Sequence, residues 1–113
     1  MLSQAVLHTA LSKTQKEFRR MFGDSLVSVI LYGSYARGDF NEESDVDVAV
    51  IVDDERENLQ ARRGQLVRWS EAMDMQYGVM LAPCIIPYKE FLQYKDDLPY
   101  YQSIAREGVR LVD

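Results

Sequence analysis

Asp45 and Asp47 stand one residue apart at the head of an apolar run, Val48-Ala49-Val50-Ile51-Val52. Side chains of a strand alternate between faces, so both carboxylates point the same way, about 6–7 Å apart along the chain. Two like charges held side by side repel unless something positive sits between them. A hard divalent cation meets that need with oxygen ligands and keeps places free for phosphate oxygens, and Mg²⁺ is the usual one. A second motif, Gly33-Ser34, directly follows another apolar run, Leu26-Val27-Ser28-Val29-Ile30-Leu31-Tyr32. Glycine there lets the backbone approach a phosphate closely, and the serine adds a hydroxyl and an amide as donors. A lone Asp-x-Asp is commonplace on exposed strand faces, and a lone Gly-Ser after a strand is usually a turn. The joint pattern of strand, Gly-Ser, ten residues, Asp-x-Asp and apolar strand is far more specific.

The elements that must position these residues can be read from periodicity. Residues 3–22 carry Leu7, Leu11, Phe18, Met21 and Phe22 at helical spacing, with Ser3 as N-cap and Gly23 as stop. A strand is expected over 26–32, then a turn and the start of a short helix over 33–37. Such a helix start would aim amides at an anion. A polar loop over 38–44 leads to a second strand over 45–52, antiparallel to the first. Residues 55–75 read as one long helix, in which Gly64 need not cause a break. Its acidic opening, Asp53-Asp54-Glu55-Arg56-Glu57, suits the positive end of a helix. Leu59, Leu66, Val67, Ser70, Met73 and Tyr77 would face the sheet, with Trp69 one step off that stripe.

A third strand is expected over 79–87, with Pro83 marking an edge or a bulge and Cys84 as a small buried hydrophobe. Short helices over 88–94 and 99–107 and a last strand over 109–112 complete the chain. His8, the only histidine, has no acid or cysteine cluster beside it and reads as a surface or boundary residue. Tyr88, Tyr94, Tyr100 and Tyr101 suit either the core edge of the two short helices or an interface.

A chain of 113 residues implies one domain, 1–113, with one core of two layers. Apolar residues at 47% and charged residues at 27% are ordinary for a globular protein. A formal charge of −5 argues against bulk binding of DNA or RNA, which needs a basic face. A single cysteine cannot form an internal disulfide and suits a reducing cytoplasm. The start of the chain lacks the plan of a signal peptide, and no apolar run reaches membrane-spanning length, so a cytoplasmic protein without membrane contact is expected.

Gly33-Ser34-x-Ala36-Arg37-Gly38 followed by Ser44-Asp45-x-Asp47 resembles the signature of the minimal nucleotidyltransferase (MNT) domain. That group belongs to the superfamily of polymerase beta and the kanamycin nucleotidyltransferases. The resemblance implies the polymerase-beta-like nucleotidyltransferase fold, an α+β arrangement of a small mixed β-sheet with helices packed mainly on one face. It also implies transfer of a nucleoside monophosphate from a nucleoside triphosphate, ATP by expectation, to an acceptor hydroxyl. Asp45 and Asp47 would be the catalytic residues and the Mg²⁺ ligands. Gly33, Ser34, Arg37 and Ser44 would bind the nucleotide. Two roles are open to Arg37: contact with a phosphate, or pairing with Asp39, Glu43 or Asp45 to brace the loop.

Active members of the superfamily usually carry a third carboxylate on a following strand. In this chain the matching position falls near Ala82, which cannot ligate a metal. Minimal domains of this type are typically paired with an all-helical HEPN partner, as antitoxin and toxin. The expected acceptor is therefore a hydroxyl of such a partner. The alternative is a weak or inactive nucleotide-binding subunit that neutralises or scaffolds its partner by contact alone. Self-association into a homo-oligomer through an exposed sheet edge is a further expectation.

Overall fold

The computed structural model describes residues 2–111. Its first helix, α1 (Gln4–Phe22), is capped by Ser3, whose Oγ accepts the Val6 amide at 3.2 Å. It ends at Gly23, where a short 3₁₀ turn leads into β1 (Leu26–Tyr32). A single helical turn, α2 (Ser34–Arg37), and a polar loop connect β1 to β2 (Val46–Val52). Two helices follow, α3 (Arg56–Gln60) and α4 (Arg63–Tyr77), then β3 (Leu81–Pro87). The chain closes with α5 (Tyr88–Tyr94), α6 (Pro99–Glu107) and β4 (Val109–Leu111). The expectation that the last strand reaches Val112 falls outside the described residues.

The four strands lie in the order β3-β2-β1-β4. β1 runs antiparallel to both β2 and β4, while β2 and β3 are parallel. A parallel pair needs a long crossover, and α3 with α4 supplies it. Pro83 therefore sits on an edge strand, where a missing backbone donor is tolerated.

β2 is the central, doubly covered strand. Val46, Val48, Val50 and Val52 enter one apolar cluster with Ala10, Leu11 and Phe18 of α1 and Leu66 and Met73 of α4. Ala49 and Ile51 enter a second, on the other face, with Ile86, Phe91 and Ile104. The long helices pack on one face, and the short α5 and α6 cover part of the other. Burial on both faces explains why β2 reads as a nearly unbroken apolar run. The core is thus split into two clusters by the sheet.

The expected single helix over 55–75 is two helices. The break falls at Ala61 and Arg62, ahead of Gly64. Arg62, at φ −94° and ψ −5°, caps the second helix and sends its guanidinium to the Met21 carbonyl, to Gln65 Oε1 and over the Phe22 ring. Attachment to the end of α1 outweighs helical continuity at that point. The break also rotates the buried stripe: Leu59, Leu66 and Met73 are buried, but Val67 is 55% exposed. Trp69 resolves as a core-edge residue, its Nε1 donating to the buried Thr14 Oγ1 at 3.0 Å.

Phe18 is fully buried, and Phe18→Ala is expected to lower the unfolding free energy by about 3–5 kcal/mol in urea titration. Val67→Ser is expected to change it by less than about 0.5 kcal/mol.

Candidate functional site

The site is built at one end of the β1–β2 pair. Tyr32 ends β1 and is the register partner of Asp47 on β2. Asp47 is in turn the register partner of Ala82 on β3. Partners on adjacent strands share a face, so Tyr32, Asp47 and Ala82 form one row, on the same face as Ala49 and Ile51. Ala82 thus stands beside Asp47 where a third carboxylate was looked for.

Gly33 is buried and adopts φ +76°. Any Cβ placed there would lie 2.3 Å from Asp47 Oδ2. The position is restricted twice, by a backbone conformation that side chains resist and by the carboxylate occupying the space. Asp47 is therefore seated against the turn that starts α2. Ser34 is the first residue of that turn, and the Gly33 carbonyl accepts the Ala36 and Arg37 amides at 3.1 and 3.0 Å.

The loop that returns to β2 is braced from within. Asn41 Oδ1 accepts the Glu43 amide at 2.8 Å, and Ser44 Oγ accepts the Asn41 amide at 2.9 Å. Phe40 stacks on Tyr35, with ring centroids 4.3 Å apart. The Val46 amide donates to the Met80 carbonyl at 2.8 Å and fixes the strand entry. Ser44 shapes the loop through its hydroxyl and delivers Asp45, which is exposed, into line with the partly buried Asp47.

Electrostatics follow from this placement. Burial and then the charge of Asp45 push the Asp47 carboxyl above its ordinary range, and Arg37 opposes them. Arg37 pairs with two carboxylates. Its Nε meets Asp39 Oδ2 at 3.2 Å, and its Nη1 meets Glu107 Oε2 of α6 at 3.4 Å. The pairing with Asp39 was among the alternatives; Glu107 was not. Ser103 Oγ donates to the same Glu107 carboxylate at 3.2 Å. Tyr32 and Tyr100 share a hydroxyl–hydroxyl bond of 2.6 Å. Burial raises both phenols, and the neighbouring Cys84 thiol adds to the rise at Tyr100.

Tyr100, Ser103 and Glu107 recur at i, i+3 and i+7, so they lie along one side of α6. That side touches Tyr32, the register partner of Asp47, at one end and Arg37 at the other. Helical spacing alone could have grouped the three residues. A hollow of about 420 Å³ between α4 and β3, lined by Leu59, Leu66, Val67, Leu81 and Ile85, opens on the opposite face of the sheet from Asp47.

The donor set suits a hard cation. Asp45 and Asp47 offer carboxylate oxygens beside the Gly33-Ser34 turn, and their mutual repulsion calls for a positive charge. Among the described residues no group of three or more His, Cys, Asp or Glu forms a fuller cage. Remaining coordination places would fall to water and phosphate oxygens.

Gly33→Ala is expected to cost roughly 1 kcal/mol or more in chemical denaturation, because the new Cβ meets the Asp47 carboxylate at a strained φ. Since the Asp47 carboxyl binds its proton more tightly folded than unfolded, stability should fall as pH rises from the ordinary carboxylate range through its raised folded value. Asp47→Asn should therefore stabilise the metal-free chain at neutral pH, and the gain should vanish in acid. Denaturation curves across pH measure both arms.

Comparison with known proteins finds the nucleotidyltransferase domain family over residues 11–110. A Methanocaldococcus jannaschii relative named "Putative protein adenylyltransferase MJ0141" is 35% identical over 79 residues, which span 70% of this chain and 76% of that protein. A solved mutant of the toxin–antitoxin pair MntA-HpeT shares the fold with a TM-score of 0.56 at 19% identity, over 88% of this chain and 71% of that one. A second solved structure, "Structure of putative minimal nucleotidyltransferase", aligns at TM-score 0.50 and 23% identity, over 91% of this chain and 94% of that one.

Proposed function

The chain belongs to the nucleotidyltransferase domain family, and from that premise we propose that it binds Mg²⁺–ATP and transfers AMP to a hydroxyl of a HEPN-type helical partner, as the antitoxin of a toxin–antitoxin pair. The observation that carries the reading is the Asp47 carboxylate seated against Gly33 with Asp45 alongside. It supports Asp45 and Asp47 as the catalytic residues that would hold the metal. Gly33 and Ser34 would receive the triphosphate, Ser44 would hold the loop, and Arg37 would turn from its Asp39 and Glu107 contacts to a phosphate.

When bound, the metal would neutralise phosphate charge and align the attack. The acceptor oxygen would bond to the α-phosphorus, the bond to the β-phosphate would break, and pyrophosphate and a proton would leave. Donors at the Gly33-Ser34 turn would stabilise charge developing on the departing pyrophosphate. A protein acceptor agrees with the name of the M. jannaschii relative, and the antitoxin role with the likeness to MntA-HpeT.

One observation favours a second reading. Ala82 beside Asp47 leaves the catalytic pair without a third acid. On that reading the chain binds nucleotide and neutralises its partner by contact alone.

Incubation with radiolabelled ATP, Mg²⁺ and a HEPN-type partner separates the two readings. Label on the partner is expected, falling to background with Asp45→Ala plus Asp47→Ala. An unlabelled partner under conditions where the nucleotide binds would remove the transferase claim. Protection against the partner by the double variant would establish neutralisation by contact. Ala82→Asp is expected to raise the transfer rate, up to about 10²-fold if the missing acid limits activation of the hydroxyl; a rate unchanged or lowered would count against that role for the position.

A further inference from the structure

Tyr100 is 46% exposed and is bonded through its hydroxyl to Tyr32, the register neighbour of Asp47. Its orientation is set twice. The hydroxyl is held by Tyr32 at 2.6 Å, and the ring meets Tyr32 and Tyr101 edge-on, with interplanar angles of 89° and 68°. No ring among the described residues lies parallel to it. Tyr35, the other aromatic close to the turn, differs: Phe40 is already stacked on it, 6° from parallel. The helix that carries Tyr100 also meets Arg37, the last residue of the turn that starts at Gly33-Ser34, through Glu107.

We infer that Tyr100 is the platform on which the base of the bound nucleotide stacks, an inference that rests on the nucleotidyltransferase reading above. An exposed, orientationally fixed ring loses little freedom on binding. Base–aromatic stacking is tolerant of base identity, because every base has a π-face. The platform therefore adds affinity for any nucleoside triphosphate over a bare phosphate chain.

Calorimetry with Mg²⁺–ATP and with Mg²⁺–tripolyphosphate tests this on wild type, Tyr100→Phe and Tyr100→Ala. Wild type should bind ATP more tightly than tripolyphosphate. Tyr100→Ala should weaken ATP at least about fivefold and leave tripolyphosphate unchanged. Tyr100→Phe, which keeps the ring, should stay within about twofold of wild type for ATP by the same reasoning. Unchanged ATP affinity in Tyr100→Ala, or equal loss of both ligands, would overturn the platform. So would wild type that binds tripolyphosphate as tightly as ATP. Wild type that binds neither would overturn the nucleotide reading itself. A measurement that needs no variant is the fluorescence of 2-aminopurine riboside triphosphate: quenching on binding to wild type is expected, and bound but unquenched probe would overturn the platform.

Discussion

The site rests on one close approach. The Asp47 carboxylate occupies the space beside Gly33 that any other residue would fill with its Cβ. This contact holds a negative charge against a turn and next to a second carboxylate, partly out of water. Such an arrangement is unfavourable alone, as the raised Asp47 carboxyl shows. It is retained because the surrounding packing over-determines it.

The restraint comes from β2. Its even-numbered residues are locked between α1 and α4, and Ala49 and Ile51 are locked beneath α5 and α6. A strand buried on both faces cannot slip by one residue without turning its whole apolar set over. The register that places Asp47 between Tyr32 and Ala82 is therefore fixed by hydrophobic packing several residues from the charged pair. The polar loop needs only to return the chain, and its internal bonds around Asn41 and Ser44 accomplish that.

α6 adds a second restraint and a boundary. The exposed ion pairs of Arg37, one of them to Glu107 of this helix, contribute little to stability. Their consequence is positional: Arg37 is held between Asp39 and Glu107, close enough to the site to oppose the rise at Asp47. The same helix brings Tyr100 to Tyr32. Asp47 is thus touched by the glycine turn, and its register partner Tyr32 is touched by a helix that bears hydroxyl and acidic groups.

Much of this was legible in the chain alone. The apolar runs that form β1 and β2, the caps of α1 at Ser3 and Gly23, and the pairing of the Gly33-Ser34 turn with Asp45 and Asp47 are local signals. They arise from side-chain periodicity and backbone preference within a few residues. Counting along the third strand also pointed to Ala82, and the parallel register sets it beside Asp47. Other features lay beyond local reading. The break at Arg62 comes from a contact with Met21 across 41 positions, and the Tyr32–Tyr100 bond spans 68. Residues 37 and 107 meet only because α6 packs along β1. Periodicity tells which side of a helix is apolar; which polar side faces the cleft depends on how all the layers settle together, and only the folded structure decides that.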